Sequence, residues 1–284
     1  MAETNRYFTV NVGCYAGIKH MKSALMLLIK ESLSLNRTPV VFTPNLLSSH
    51  NFGKEVTASW DKYIDLDKIA IIQNGTTHHV KAVKRDVIAD IDAFAVLEVK
   101  GKHVVTATEN VEYQLIIKNN SSGLGGEGVY GHDDFDFDVE LRPSRVVLDY
   151  ADDVIRQLGQ YHSMHVRRGD KLVERDRYPN LDRDTRPEAI YETVSRVLPR
   201  GSGIYILTDE RTPNYFDALG KDYQIFQYFD FPELRHLVEG DHPDNFLLYE
   251  IEQLVFARAQ TKIYTFANPN GKPRISLTTD VGWT

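Results

Sequence analysis

The heptad His165-Val166-Arg167-Arg168-Gly169-Asp170-Lys171 gathers three permanent cations, a carboxylate and a glycine at the end of an apolar-leaning run. Arginine presents a planar fork of N–H donors that matches phosphate oxygens, and two in succession concentrate positive charge. Gly169 lets the backbone turn closely, and Asp170 can hold one arginine in place. The chemistry on offer is anion binding at a strand-to-loop junction. The same residues also read as a salt-bridged surface turn, because runs of charge are commonly solvated. A second group, Asp133-Asp134-Phe135-Asp136-Phe137-Asp138, invites metal chemistry. In an extended chain Asp134, Asp136 and Asp138 share one face, and their hard oxygens suit a divalent cation. The competing reading is a solvated edge strand, and the heptad already carries the charge a metal would bring. His78-His79 has no carboxylate or cysteine at ligand spacing, so no metal is expected there.

The elements that must position these residues are legible as alternating strands and helices. Residues 6–12 alternate as a strand, and Met21, Leu25, Leu28, Ile29 and Leu33 then recur at helical spacing up to Asn36. Residues 39–43 (PVVFT) read as a buried strand, completing a βαβ unit. Residues 60–72 read as a short docking segment and a strand. The runs AFAVLEV, HVVTAT and YQLIIK between residues 86 and 117 read as strands and connections. Residues 119–131 (NNSSGLGGEGVYG) form the clearest loop. A helix is expected over 143–158, a strand over 161–166 running into the heptad, and a helix over 187–198. Strands over 203–207 and 223–226, a helix over 246–259 and a strand over 263–266 complete the pattern. Alternation of this kind implies parallel sheets covered on both faces, with a ligand in the crevice beyond the carboxyl ends of the strands.

Composition sets the frame. With 284 residues, 42% hydrophobic and 26% charged, the chain is long enough for two α/β units with their own cores. A net charge of -7 argues against nucleic-acid binding, since the phosphate backbone would be repelled. Cys14 is the only cysteine, which favours a reducing compartment and a cytoplasmic location. The most apolar stretch, residues 24–29, falls far short of the roughly 20 residues that span a bilayer, so no stable membrane insertion is expected.

The heptad closely resembles the His-x-Arg-Arg-x-Asp-Lys motif of α1,6-fucosyltransferases, nodulation fucosyltransferases and protein O-fucosyltransferases. Residues 203–210 (GIYILTDE) are similar to that group's strand followed by Thr-Asp-Asp/Glu. Residues 246–266 (FLLYEIEQLVFARAQTKIYTF) are similar to its helix followed by Thr-Phe-Ser-Ser. Residues 12–36 have the position of its Gly-rich loop and first helix, followed by Asn36-Arg37-Thr38-Pro39. Trp60, Tyr63 and Asp65-Leu66-Asp67 resemble an aromatic segment before Phe-Asp, and read as packing.

The resemblance implies an α/β fold of the GT-B type, two Rossmann-like domains whose parallel sheets face a central cleft. Residues 1–150 would form the acceptor side and residues 151–284 the nucleotide-sugar donor side. It implies an inverting, metal-independent glycosyltransferase moving L-fucose from GDP-fucose to a glycan hydroxyl, with no cofactor beyond the donor. Arg167 would pair with the diphosphate and stabilise the leaving group, with Arg168, Asp170 and Lys171 completing the basic turn. His165 would touch base or ribose, Asp209 would cap the turn after its strand, and Glu252 would accept from the base. Thr265, Phe266 and Ala267 would lie near the phosphates, one hydroxyl short of the usual pattern. Gly17 would let the backbone approach the phosphates. For the general base, Glu174 and Asp176 are the candidates, with pairing to Arg175 or Arg177 as the alternative role; His20 is a weaker one. Glu252 stands where the group usually has Asp, so another donor such as UDP-xylose or a different GDP-deoxyhexose stays open. So do a metal-dependent transferase using the Asp-x-Asp run and a nucleotide-binding module without catalysis.

Overall fold

The alternating residues near the amino terminus form β1, Tyr7–Val12, in the computed structural model. The structure describes residues 5–56, 58–101, 103–120, 135–265 and 276–278. The helical spacing that follows becomes α1, Ile18–Ser34, whose Met21, Leu25, Leu28 and Ile29 are almost wholly buried. Asn36 stops it with φ at 53°, a left-handed turn that asparagine tolerates better than most residues. Then come β2, Thr38–Pro39, α2, Trp60–Tyr63, β3, Ala70–Gln73, and β4, Thr76–His79. The chain continues through β5, Val96–Lys100, α3, Ala107–Glu112, β6, Leu115–Asn120, and β7, Asp138–Glu140.

These elements belong to a first unit, residues 1–147 with 241–247. Its main sheet is fully parallel in the order β2-β1-β6-β5, with Tyr7 level with Leu115. One face carries α1. The other is filled by Val40, Ile88, Leu115 and Ile117, with Tyr7, Val83, Phe94 and Val96 packed around them. A second, antiparallel sheet runs β4-β3-β7. Its hairpin turns at Asn74-Gly75, both at positive φ, the pair that a two-residue turn matched to strand twist requires.

Three sequence expectations change here. HVVTAT forms no strand. Thr106 within it accepts from Glu109 N (3.2 Å) while Glu109 accepts from Thr106 N (2.7 Å), a reciprocal cap that starts α3. Of PVVFT only Pro39 lies in a strand, β2, after which Val40 makes an isolated bridge to Val83. Residues 119 and 120 of the glycine-rich segment end β6, and 121–131 lie outside the described residues.

Arg37, within the Asn-Arg-Thr segment, is buried and locks the edge of the first sheet. Its Nε donates to Asn110 Oδ1 (2.6 Å), and its two terminal nitrogens reach the carbonyls of Tyr7, Gln114, Asn110 and Tyr113 at 2.6–3.2 Å. Burial, helped by Arg6, lowers its pKa to about 10, still far above neutrality. Arg37→Met keeps the stem but removes a donor shared by five acceptors, of which Gln114 O keeps Tyr7 N and Asn110 O keeps Arg6, and is expected to cost about 3 kcal/mol. The midpoint of chemical unfolding reads that loss; an unchanged midpoint would contradict it.

The second unit, residues 148–240 with 248–284, follows. α4, Arg145–Leu158, leads to β8, His162–Val166, then α5, Leu181–Asp184, and α6, Pro187–Val194. β9, Gly203–Thr208, β10, Gln224–Phe226, and α7, Pro232–His236, precede α8, Asn245–Ala257, β11, Lys262–Tyr264, and β12, Ser276–Thr278. The sheet order is β10-β9-β8-β11-β12, parallel except for β12 against β11. Met164, Val166, Ile204, Ile206 and Ile263 point to one face, where Ile190 and Val194 of α6 cover them. On the other face α8 is fixed by two side chains of the strands. Tyr161 donates to Val255 O (2.6 Å), and Tyr205 donates to Glu252 (2.9 Å). Among the described residues, no helix is long and apolar enough to cross a membrane.

Candidate functional site

Parallel pairing decides what meets at the carboxyl end of the second unit's sheet. Val166 is level with Thr208, and His165 with both Leu207 and Tyr264. The residues leaving β8, β9 and β11 therefore emerge side by side: Arg167-Arg168, Asp209-Glu210 and Thr265. Thr265 Oγ1, buried, accepts from Arg167 N (3.2 Å) and bonds His165 O (3.2 Å), tying β11 to β8. Asp209 receives both arginines. One oxygen takes Arg168 N (2.6 Å), and the other pairs with the Arg167 guanidinium. Asp209, expected to cap the turn after its strand, is a clamp instead, and the turn is capped by Glu210, whose Oε1 accepts from Arg211 N and Thr212 N (both 2.8 Å).

Strand alternation sends the two arginines to different fates. The Arg168 side chain is 7% exposed and turned into the protein. Nε donates to Glu210 (2.6 Å), and the terminal nitrogens reach Thr185 Oγ1 (2.5 Å), Asp182 Oδ1 (2.9 Å) and Asp182 O (3.4 Å). Its guanidinium lies 4.8 Å from the ring centre of Tyr215. Burial works against its charge, but the hydrogen bonds to Asp182 and Glu210 outweigh this and raise its pKa. Arg168 builds the turn.

Arg167 keeps 29% of its side chain exposed, held from behind by Asp209 and from the side by Asp170 (2.5 Å). Asp170 is the more exposed partner, at 55%, and also lies 3.4 Å from Lys171. Lys171 reaches Glu174 (2.5 Å), and this bond first, then Asp170, raises its pKa. Glu174 also faces Arg177 (3.5 Å), so the pairing role foreseen for it is filled by Lys171 and Arg177. Asp176 is exposed on the same turn.

Gly169 shows why the turn needs glycine. Its φ is +24°, and a Cβ there would stand 2.3 Å from Asp209 Oδ2. Gly169→Ala is expected to cost about 1–3 kcal/mol in backbone strain and to push Asp209 off Arg167. Gly159→Ala, also at positive φ but with open space around it, supplies the strain without the clash. Anion affinity should fall in the first variant and hold in the second, by calorimetric titration; equal affinities would contradict the clamp.

The remaining expected residues are placed as follows. His165 stands edge-on to Phe256 and Tyr264, with ring centres 6.4 and 6.2 Å away. Glu252 is buried on α8 against Tyr205, and burial pushes its pKa up to about 8. Gly17 lies in the first unit at the start of α1, where a Cβ would be 3.1 Å from His50 Nδ1. His20 is exposed on α1. Phe266, Ala267, Asp133 and Asp134 lie outside the described residues. Asp136 accepts from Gln73 (2.8 Å), and Asp138 pairs with Lys30 (3.5 Å) as part of β7, an edge strand. Among the described residues, no group of three or more His, Cys, Asp or Glu is gathered as a metal site.

Sequence reasoning did not find Glu210, Asp182, Thr185 and Tyr215 as the cradle of Arg168, nor Tyr205 as the partner of Glu252. The signal for Tyr205 was a polar-tipped residue inside the otherwise aliphatic run GIYIL. Tyr215 gives no local signal, since it meets Arg168 only through the fold.

No family model matches the sequence, and no curated protein matches it. Among solved structures, apo POFUT1 matches with a TM-score of 0.52 at 10% identity, over 93% of this chain and 92% of that one. POFUT1 in complex with GDP-fucose matches with a TM-score of 0.50 at 9% identity, over 93% and 92%. Fucosyltransferase NodZ from Bradyrhizobium gives 0.47 at 10% identity, over 98% and 99%. The likeness to POFUT1 shows the fold: the chain has the α/β architecture of the GT-B type.

Proposed function

We propose that this chain is a fucosyltransferase-like glycosyltransferase that takes L-fucose from GDP-fucose and passes it, with inversion, to a glycan hydroxyl. The observation that carries this reading is Arg167, a partly exposed guanidinium held by Asp209 at the carboxyl end of β8. It is supported by a fold shared with POFUT1, whose structure has been solved with GDP-fucose.

The chemistry follows from that position. The acceptor hydroxyl oxygen attacks the sugar C1, the bond from C1 to the phosphate oxygen breaks, and GDP leaves with the electron pair. Negative charge grows on the β-phosphate, and a fixed donor aimed there stabilises the transition state more than the ground state. Arg167 supplies that donor in place of a metal ion. The diphosphate displaces Asp170, the more exposed of its two partners, while Asp209 keeps the guanidinium aimed. Glu174 or Asp176 takes the proton of the hydroxyl, and Gly17 belongs to the acceptor-side unit. A single cysteine fits a cytoplasmic enzyme.

A second reading keeps the fold and changes the donor, for instance to UDP-xylose. Glu252 favours it: its carboxyl is engaged with Tyr205, leaving the choice of base to other groups. Release of GDP from GDP-fucose, followed by chromatography with and without EDTA, tests the proposal. Equal release in both supports it. Loss in EDTA together with loss in Asp136→Ala would replace it with the metal-dependent transferase.

A further inference from the structure

The sheet of the second unit has a cavity at its other end. It measures about 390 Å³ and lies where β8, β9 and β10 begin, opposite the edge that carries Arg167. That volume falls within the roughly 300–1,000 Å³ of small-ligand sites. Its lining includes Gln160, His162, Arg200, Gln224, Phe226 and Gln260. The lining thus brings together three amides, one imidazole, one guanidinium and one aromatic ring.

The chemistry of the set is specific. The amides of Gln160, Gln224 and Gln260 are exposed and make no hydrogen bond among the described residues. Each can donate and accept at once, as a hydroxyl does. Arg200 is offset by Asp222, 3.6 Å away, so the cavity offers little net charge to an anion. His162 has a buried Nδ1 with no hydrogen-bond partner among the described residues, and burial lowers its pKa, which favours the neutral ring. Phe226 adds an apolar wall beside Gly203, where even a Cβ would come within 3.4 Å of the ring. A ligand matched to these groups is uncharged, carries several neighbouring hydroxyls and has one apolar face.

We propose that the cavity formed by Gln160, His162, Gln224, Phe226 and Gln260 is a binding site for a neutral saccharide, separate from the Arg167 end of the same sheet. It requires no particular donor or reaction, so it stands or falls apart from the proposed transfer.

Saturation-transfer NMR on the full chain tests it, with lactose, maltose and chitobiose as probes and GDP in excess to fill the nucleotide site. Inorganic phosphate is titrated separately. At least one saccharide should bind with GDP present. In the double variant Gln224→Ala, Gln260→Ala its affinity should fall about tenfold, as expected for losing two modest hydrogen bonds. Both side chains are exposed, and an unchanged melting temperature and unchanged circular dichroism confirm that the variant is folded. Saccharide binding that GDP abolishes, or that the double variant leaves intact, overturns the proposal. So does the absence of binding by every saccharide, or binding of phosphate in their place.

Discussion

Arg167→Ala lowers turnover by about 10²–10³-fold while the protein stays folded, the size of effect seen when one fixed transition-state donor is removed. Two features separate this variant from a merely structural one. Arg167 keeps 29% of its side chain in solvent, whereas Arg168 next to it keeps 7%. Losing Arg167 leaves Asp209 with its bond from Arg168 N, so that carboxylate is not stranded. Arg168→Ala instead strips Glu210, Asp182 and Thr185 of a shared partner and is read first as a loss of stability. Arg167→Lys should recover only part of the activity, because an ammonium cannot hold Asp209 and a phosphate oxygen with one planar fork. Steady-state kinetics with melting curves for all three variants check this. Full activity in Arg167→Ala would remove the site from the reaction.

The second large effect concerns Glu252. Its pKa is pushed up to about 8 by burial, against the hydrogen bond from Tyr205 that favours the ionised form. The folded chain therefore holds a proton that the unfolded chain releases above pH 4.5. The stability tied to that proton is complete below pH 4.5 and is lost as pH rises toward 8. Glu252→Gln removes the dependence while Oε1 can still accept from Tyr205. The stability difference between variant and parent should shift in favour of the variant by about 3 kcal/mol between pH 5 and pH 7.5. Denaturation at the two pH values measures it, and any fixed cost of the new amide cancels in the comparison. A pH-independent difference would mean that the carboxylate is already ionised in the fold. GDP affinity should change little; a tenfold loss would return Glu252 to reading the base.

Much of the architecture was legible because it depends on short-range pattern. The period of Met21, Leu25 and Leu28 gave α1, and the aliphatic run around Tyr205 gave β9. A basic cluster directly after an apolar strand is enough to place Arg167 at a carboxyl edge. HVVTAT misled because β-branched residues favour strands, yet the Thr106 and Glu109 pair was there as a helix-start signal. The division of labour between Arg167 and Arg168 was not read, although two neighbours leaving a strand point to opposite sides. What no local signal gives is the partnership of Tyr205 with Glu252, or of Arg168 with Tyr215. Both are set by how helices and loops settle on the sheet.

The most direct test of the central claim is calorimetric and thermal-shift titration with GDP, GDP-fucose, UDP and CDP, each with and without EDTA. A ligand at 100 times its dissociation constant adds about 2.7 kcal/mol of stability, which is easily visible as a raised melting temperature. The proposed function predicts that GDP and GDP-fucose raise it equally in EDTA, and that Arg167→Ala abolishes the rise. A response to UDP alone would keep the fold and retire the donor. No response to any nucleotide would contradict the account.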